Sequence, residues 1–111
     1  MPPLLDSAEW IGVPVVVLGY LFAGFERGKH KSKNLAELDQ FLSVPVVEVL
    51  PVDRRTAGIF GAIVAELRTR GKPLPTNDIW IAAAAVQAGA ALITWDGHFR
   101  EIPLLGAIIL E

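Results

Sequence analysis

The sequence predicts an α/β domain with three layers, helices packed on both faces of a short parallel sheet. Two observations carry this. Residues 13–18, 46–50, 91–94 and 107–110 are short apolar runs rich in β-branched residues, the pattern of strands buried on both faces. Between them stand longer segments whose apolar residues recur at helical spacing. Strands that alternate with helices imply parallel pairing through right-handed crossovers. A length of 111 residues suits one such domain and not two.

In chain order, Leu4, Leu5, Ala8 and Ile11 share one helical face, so residues 3–11 read as a short helix ended by Gly12. The run 13–18 is the first strand. Residues 19–27 return to a helical pattern and lead into a basic stretch. Asn34 with Glu37 three positions on reads as an N-cap and capping box, followed by the stripe Leu35, Leu38, Phe41, Leu42. Residues 46–50 form the second strand. Asp53 caps the clearest helix, whose apolar face is Ile59, Phe60, Ile63, Val64 and Leu67. Glu66 and Arg70 pair at i,i+4 and Gly71 terminates it. Residues 72–75, Lys-Pro-Leu-Pro, make a rigid loop. Residues 77–88 form an Ala-rich helix stopped by Gly89, residues 91–94 a third strand, and residues 107–110 a short fourth strand at an edge.

Composition narrows the function. The chain is 52% hydrophobic and 20% charged, apolar enough that some surface is expected to serve a partner or a second copy. A net charge of -2 offers no global attraction to nucleic acid, so any such contact must be local or metal-mediated. The absence of cysteine excludes disulfides and thiolate metal sites and fits the cytoplasm. The longest apolar run, 13–25, is too short to span a bilayer and is broken by Pro14, Gly19 and Gly24. Met-Pro-Pro at the start has no basic region of a signal peptide.

In an open parallel sheet, ligands bind where strands end and helices begin. The pattern therefore assigns Tyr20, Asp53 and Asp96 to one rim. The helix 77–88 runs antiparallel to strand 91–94, which brings Asp78 to the same rim. Asp78 and Asp96 are the carboxylates of choice for one hard divalent cation, since magnesium and manganese take oxygen ligands, often one or two carboxylates together with substrate phosphate. The competing roles are ordinary ones: Asp78 as a first-turn acid favoured by the helix macrodipole, and Asp96 as the turn residue of Asp-Gly.

Residues 75–83, Pro-Thr-Asn-Asp-Ile-Trp-Ile-Ala-Ala, then Gly89, then residues 92–99, Leu-Ile-Thr-Trp-Asp-Gly-His-Phe, resemble the C-terminal half of VapC-type PIN domains. Upstream, Val13-Pro14-Val15-Val16-Val17-Leu18-Gly19 followed by Leu21 and Gly24 resembles that family's second strand and next helix. The resemblance spans nearly the whole chain. It implies a PIN-like α/β/α sandwich and a magnesium- or manganese-dependent ribonuclease with four acids, the toxin of a toxin–antitoxin pair. Two of the acids carry over, to Asp78 and Asp96, and Thr94 matches the hydroxyl residue that orders the site.

Two acids do not carry over. The family's Glu follows Leu-Gly, and Tyr20 stands there; a phenol with a pKa near 10 is a poor ligand for a hard cation at neutral pH. The family's first acid ends an N-terminal strand, Asp-Thr-Asn. Asp6 is too near Val13 to end a strand parallel to the next one, because a parallel crossover takes about a dozen residues or more. The first strand is therefore expected to be missing, the single domain of residues 1–111 to be incomplete at its N-terminus, metal binding to be weak, and cleavage weak or absent.

Arg27, Lys29, Lys31 and Lys33 with His30 form a basic run that could meet RNA phosphate or an acidic antitoxin segment, or be a solvated helix end. Trp95 and His98 beside Asp96 are further candidate substrate contacts, while Trp80 is expected in the core. Three functions compete. One is a metal-dependent endoribonuclease with Asp78 and Asp96 as metal ligands. Another is a non-catalytic module that self-associates into a homo-oligomer or binds an antitoxin. The last, a phospho-acceptor domain built on Asp53, lacks the adjacent acid pair and the late lysine it would need.

Overall fold

The structure, a computed structural model, describes residues 9–94, 97–102 and 106–109. Among these residues it is mixed α/β, with four α-helices and short parallel strands. The order is β1 (Ile11–Pro14), α1 (Val15–Arg27), α2 (Lys31–Leu42), β2 (Val47–Leu50), α3 (Arg54–Thr69), α4 (Thr76–Ala88), β3 (Leu92–Thr94), a 3-10 turn (Gly97–Glu101) and β4 (Ala107–Ile109). The α/β class and the parallel pairing follow the sequence reading. The chain forms two compact units, Met1–Leu50 and Pro51–Glu111.

In the first unit β1 and β2 pair in parallel, Ile11 opposite Val47 through Pro14 opposite Leu50. The expected strand 13–18 is corrected here: the strand lies two residues earlier, and Val15 already begins a helix. A continuously apolar run carries no period, so it does not by itself separate strand from helix. Pro14 decides the boundary. It has no N–H to give a ladder, and its fixed φ of -59° with ψ 138° makes it both the last strand residue and the cap of α1. Ile11 is likewise in a strand rather than a helix, and residues 3–8 of the expected first helix lie outside the described residues. Gly12 sits inside β1 opposite Glu48 rather than ending a helix. A Cβ on Gly12 would stand 2.5 Å from the Trp10 ring and 2.9 Å from Leu50 Cδ1. Any larger residue there needs the Trp10 ring and the Leu50 methyl to move aside.

The capping box at Asn34 is also corrected. Helix α2 starts a turn earlier, with His30 as cap, and the Asn34 N–H donates to the His30 carbonyl at 2.9 Å. The local motif lost because the helix was already under way: the Asn34 N–H makes its first intrahelical bond, so Asn34 is a helical residue and not a cap.

The second unit holds a core of Ile63, Leu67, Ile79, Ala82, Ala83, Ala85, Phe99 and Ile102. Helix α3 supplies its expected stripe, and Ile63, only 1% exposed, is its centre. Asp53 caps α3 as expected, in a capping box closed by Thr56. Helix α4 brings four consecutive buried alanines, Ala82 to Ala85. Trp80, expected in the core, is half-buried at its margin, where it stacks on the partly buried Phe60, ring centroids 4.0 Å apart at 18°. Gly89 ends α4 in the left-handed region, φ 66°, where a Cβ is unfavourable. The chain then reverses into β3, which pairs in parallel with β4.

Candidate functional site

Helix α4 opens on Pro75 and carries Asp78 in its first turn, half-buried, where the positive end of the macrodipole favours an anion. Thr94 is the last residue of β3 and is also half-buried. Neither residue is without an interaction partner. Trp95 and Asp96 lie outside the described residues. His98 falls in the 3-10 turn that follows, and its side chain is outside what is described. Phe99 and Ile102 anchor that turn in the core. Arg70 ties it to the end of α3 by donating to the Glu101 carbonyl, with its guanidinium 3.6 Å from the Glu101 carboxylate and 3.2 Å from Glu66. The Glu66 pairing was legible at i,i+4; the link to Glu101 was not.

Asp53 is removed from the rim on which the alternation of elements had put it with Asp78. Its carboxylate accepts from the Gln87 amide at 3.1 Å and 3.3 Å, close to the C-terminal end of α4. Asp78 lies nine residues earlier on the same helix, about 14 Å along the axis. The physical reason is the antiparallel α3–α4 hairpin, which sets the start of α3 beside the end of α4. Asp53 is fully occupied. Its Oδ1 also takes the N–H groups of Arg55 at 3.0 Å and Thr56 at 3.2 Å. These donors, led by the Thr56 N–H and then the Gln87 amide, hold its carboxyl below the usual aspartate value. A carboxylate so engaged in capping is consistent with rejecting a phospho-acceptor role. Gln87 was not anticipated, because a lone glutamine inside a helix carries no sequence signal.

In the first unit Tyr20 lies in the second turn of α1, not directly after a strand, and is 52% exposed. Arg27 and Lys29 flank the end of α1 and are exposed. Half of the basic run is already neutralised: Lys31 pairs with Glu26, and Lys33 stands 3.9 Å from Glu37. Among the described residues, no group of three or more histidines or acids gathers to hold a metal ion. The donors at Asp78 and Thr94 are hard oxygens, the kind that magnesium and manganese take. No described helix is long and apolar enough to cross a membrane.

This fold and this arrangement define a PIN domain: the PIN domain family matches residues 2–105, and the chain belongs to it. Within that family it is of the VapC type. It is 33% identical over 102 residues to Ribonuclease VapC4 of Mycobacterium tuberculosis, covering 92% of this chain and 78% of that protein. It is 30% identical over 108 residues to Ribonuclease VapC2 of Rickettsia felis, covering 97% and 78%. Among solved structures, VapBC2 from Rickettsia felis bound to a DNA fragment from their promoter superposes with a TM-score of 0.84 at 30% identity, over 96% of this chain and 80% of that one. DNA-bound VapBC from Salmonella typhimurium gives 0.79 at 30% identity, over 88% and 74%.

Proposed function

We propose that this chain, residues 1–111 taken as one PIN domain, is the toxin of a toxin–antitoxin pair, a VapC-type endoribonuclease whose cleavage is weak or lost. Membership of the family supports the reading of the chemistry, and the relatives named above are ribonucleases. The observation that carries the weakness is the acid count. Tyr20 stands where the resemblance expects Glu, and Asp6 is too near Val13 in the chain to supply the family's first acid.

In this reading Asp78 and Asp96 hold magnesium or manganese, weakly. Such an ion, when bound, activates water and offsets charge on a phosphodiester. Asp78 offers its carboxylate from the rigid first turn of α4, and the Thr94 hydroxyl orders the neighbouring strand end. Trp95 and His98 are candidate RNA contacts, and Arg27 and Lys29 candidate phosphate contacts. The partner is a small antitoxin protein; similar structures are of VapBC, some of them DNA-bound. The chain acts in the cytoplasm.

A second reading is a non-catalytic module that binds an antitoxin or forms a homo-oligomer. It is favoured by Tyr20, Leu21 and Phe22, adjacent exposed residues of α1 with large apolar or aromatic side chains. One experiment separates the two. The purified chain is incubated with RNA and magnesium, with and without EDTA. Slow degradation that EDTA stops fits the weakened toxin; no degradation at all, with an antitoxin still bound, fits the non-catalytic module. Brisk degradation that EDTA stops and Asp96→Asn abolishes would overturn the claim of weakness. No binding to either partner would sink the toxin reading itself.

A further inference from the structure

Helices α3 and α4 pack antiparallel, and Trp80, Ala83 and Gln87 line one stripe of α4 at the i, i+3, i+7 spacing of a single face. Ile63 and Leu67 of α3 and Ile79 of α4 share one core, which holds the two helices together by contacts that have no direction of their own. The buried run Ala82–Ala85 offers only methyl groups, which let helices come close but interdigitate little. The Trp80–Phe60 stack is nearly parallel, 18° between planes, and stacked rings slide at small cost, so it sets separation more than slip.

Gln87 is different. Its amide nitrogen donates to both carboxylate oxygens of Asp53, at 3.1 Å and 3.3 Å, and its amide oxygen meets the hydroxyl of Thr56, a residue with no exposed surface. These are directional bonds to two groups at the very start of α3, themselves locked by the capping box. We propose that Gln87 is a positioning residue: it fixes the axial register of α4 on α3, and so the place of Asp78 at the other end of the same helix. A helix is stiff over this length, so a slip at Gln87 reaches Asp78 one for one. Metal affinity and reaction geometry are sensitive to displacements of about 1 Å. The last step rests on Asp78 being a metal ligand, as proposed above; the register itself does not.

The test uses the full chain labelled with 5-fluorotryptophan, the Trp80 resonance being identified by its loss in Trp80→Phe. Its fluorine shift reads the ring current of Phe60 and therefore the register. Manganese affinity is measured on the same samples. Gln87→Leu keeps the volume and removes all three hydrogen bonds of the amide, and Val64→Ala serves as a control for plain destabilisation. Expected for Gln87→Leu are a displaced Trp80 resonance and a loss of manganese affinity of about tenfold; Val64→Ala should produce neither. If Gln87→Leu fails to fold, Gln87→Asn, too short to reach Asp53, carries the same expectation. A Trp80 resonance that stays put, or moves equally in Val64→Ala, overturns the register claim. A displaced resonance with unchanged manganese affinity overturns the transmission to Asp78. Wild-type protein that binds no manganese removes the metal reading, while the fluorine shift still decides the register.

Discussion

The backbone N–H of Asp53 donates to Thr56 Oγ1 at 3.0 Å, and the Thr56 N–H donates back to Asp53 Oδ1 at 3.2 Å. This reciprocal pair satisfies two polar donors where the chain leaves Pro51 and enters α3. It also turns a short capping motif into a tertiary contact, because Gln87 binds both partners.

Thr56→Val tests the pair from the buried side. Valine keeps the shape and removes the hydroxyl, leaving the Asp53 N–H and the Gln87 amide oxygen without that partner. The expected loss is about 1–3 kcal/mol in urea unfolding, with the m-value unchanged. A change within experimental error would mean that water replaces the hydroxyl freely.

The same network sets an acid sensitivity. Asp53 has its pKa lowered from the ordinary 3.8, first by the Thr56 N–H and next by Gln87. A depressed carboxyl contributes stability that is whole above its unfolded pKa and is lost as pH falls through the folded one. Thermal unfolding from neutral pH down to about pH 2 should therefore fall more steeply in the wild type than in Asp53→Asn. Parallel curves would remove Asp53 from the acid response.

Gly12→Val is expected to destabilise by about 1–3 kcal/mol, since its side chain would overlap the Trp10 ring and Leu50 Cδ1. Trp10 emission should change with it, as the ring must swing away. Unchanged stability and emission together would contradict the packing described for β1.

At Gly89 the strain is in the backbone rather than in the space around it, because a Cβ there would meet nothing within 4 Å while φ is +66°. Gly89→Ala should cost about 1 kcal/mol by chemical unfolding. A neutral result would place that turn in an ordinary conformation.

Asp78 separates capping from metal binding. As a first-turn acid alone, its change to Asn should cost no more than about 1 kcal/mol. As a metal ligand, the same change should abolish any manganese-dependent signal in titration. Loss of stability without loss of that signal would reduce Asp78 to a helix-end charge.

The legibility of this chain follows from which residues carry a period. Helix α3 was readable end to end, from its Asp53 cap to Gly71, because cap, stripe and terminator all agree. Strand 13–18 was misplaced because valine after valine has no period and the turn at Pro14 admits either element. The Asn34 box was a valid local pattern overruled by a helix already under way. Asp78 and Thr94 fall in the elements expected of them, and Asp53 at the start of its helix, whereas the rim that Asp53 was to share with Asp78 does not form. Nothing in a strand–helix alternation says which ends of two successive helices meet. Gln87 supplied that information only through its partners in space.

Pro14 closes β1 and opens α1 with no residue between them. A connection of zero length has no slack. The direction of α1 is inherited from the strand like the arm of a lever from its axle. Any shear between β1 and β2 must then swing the far end of that thirteen-residue helix, Arg27 included, rather than die out in a loop.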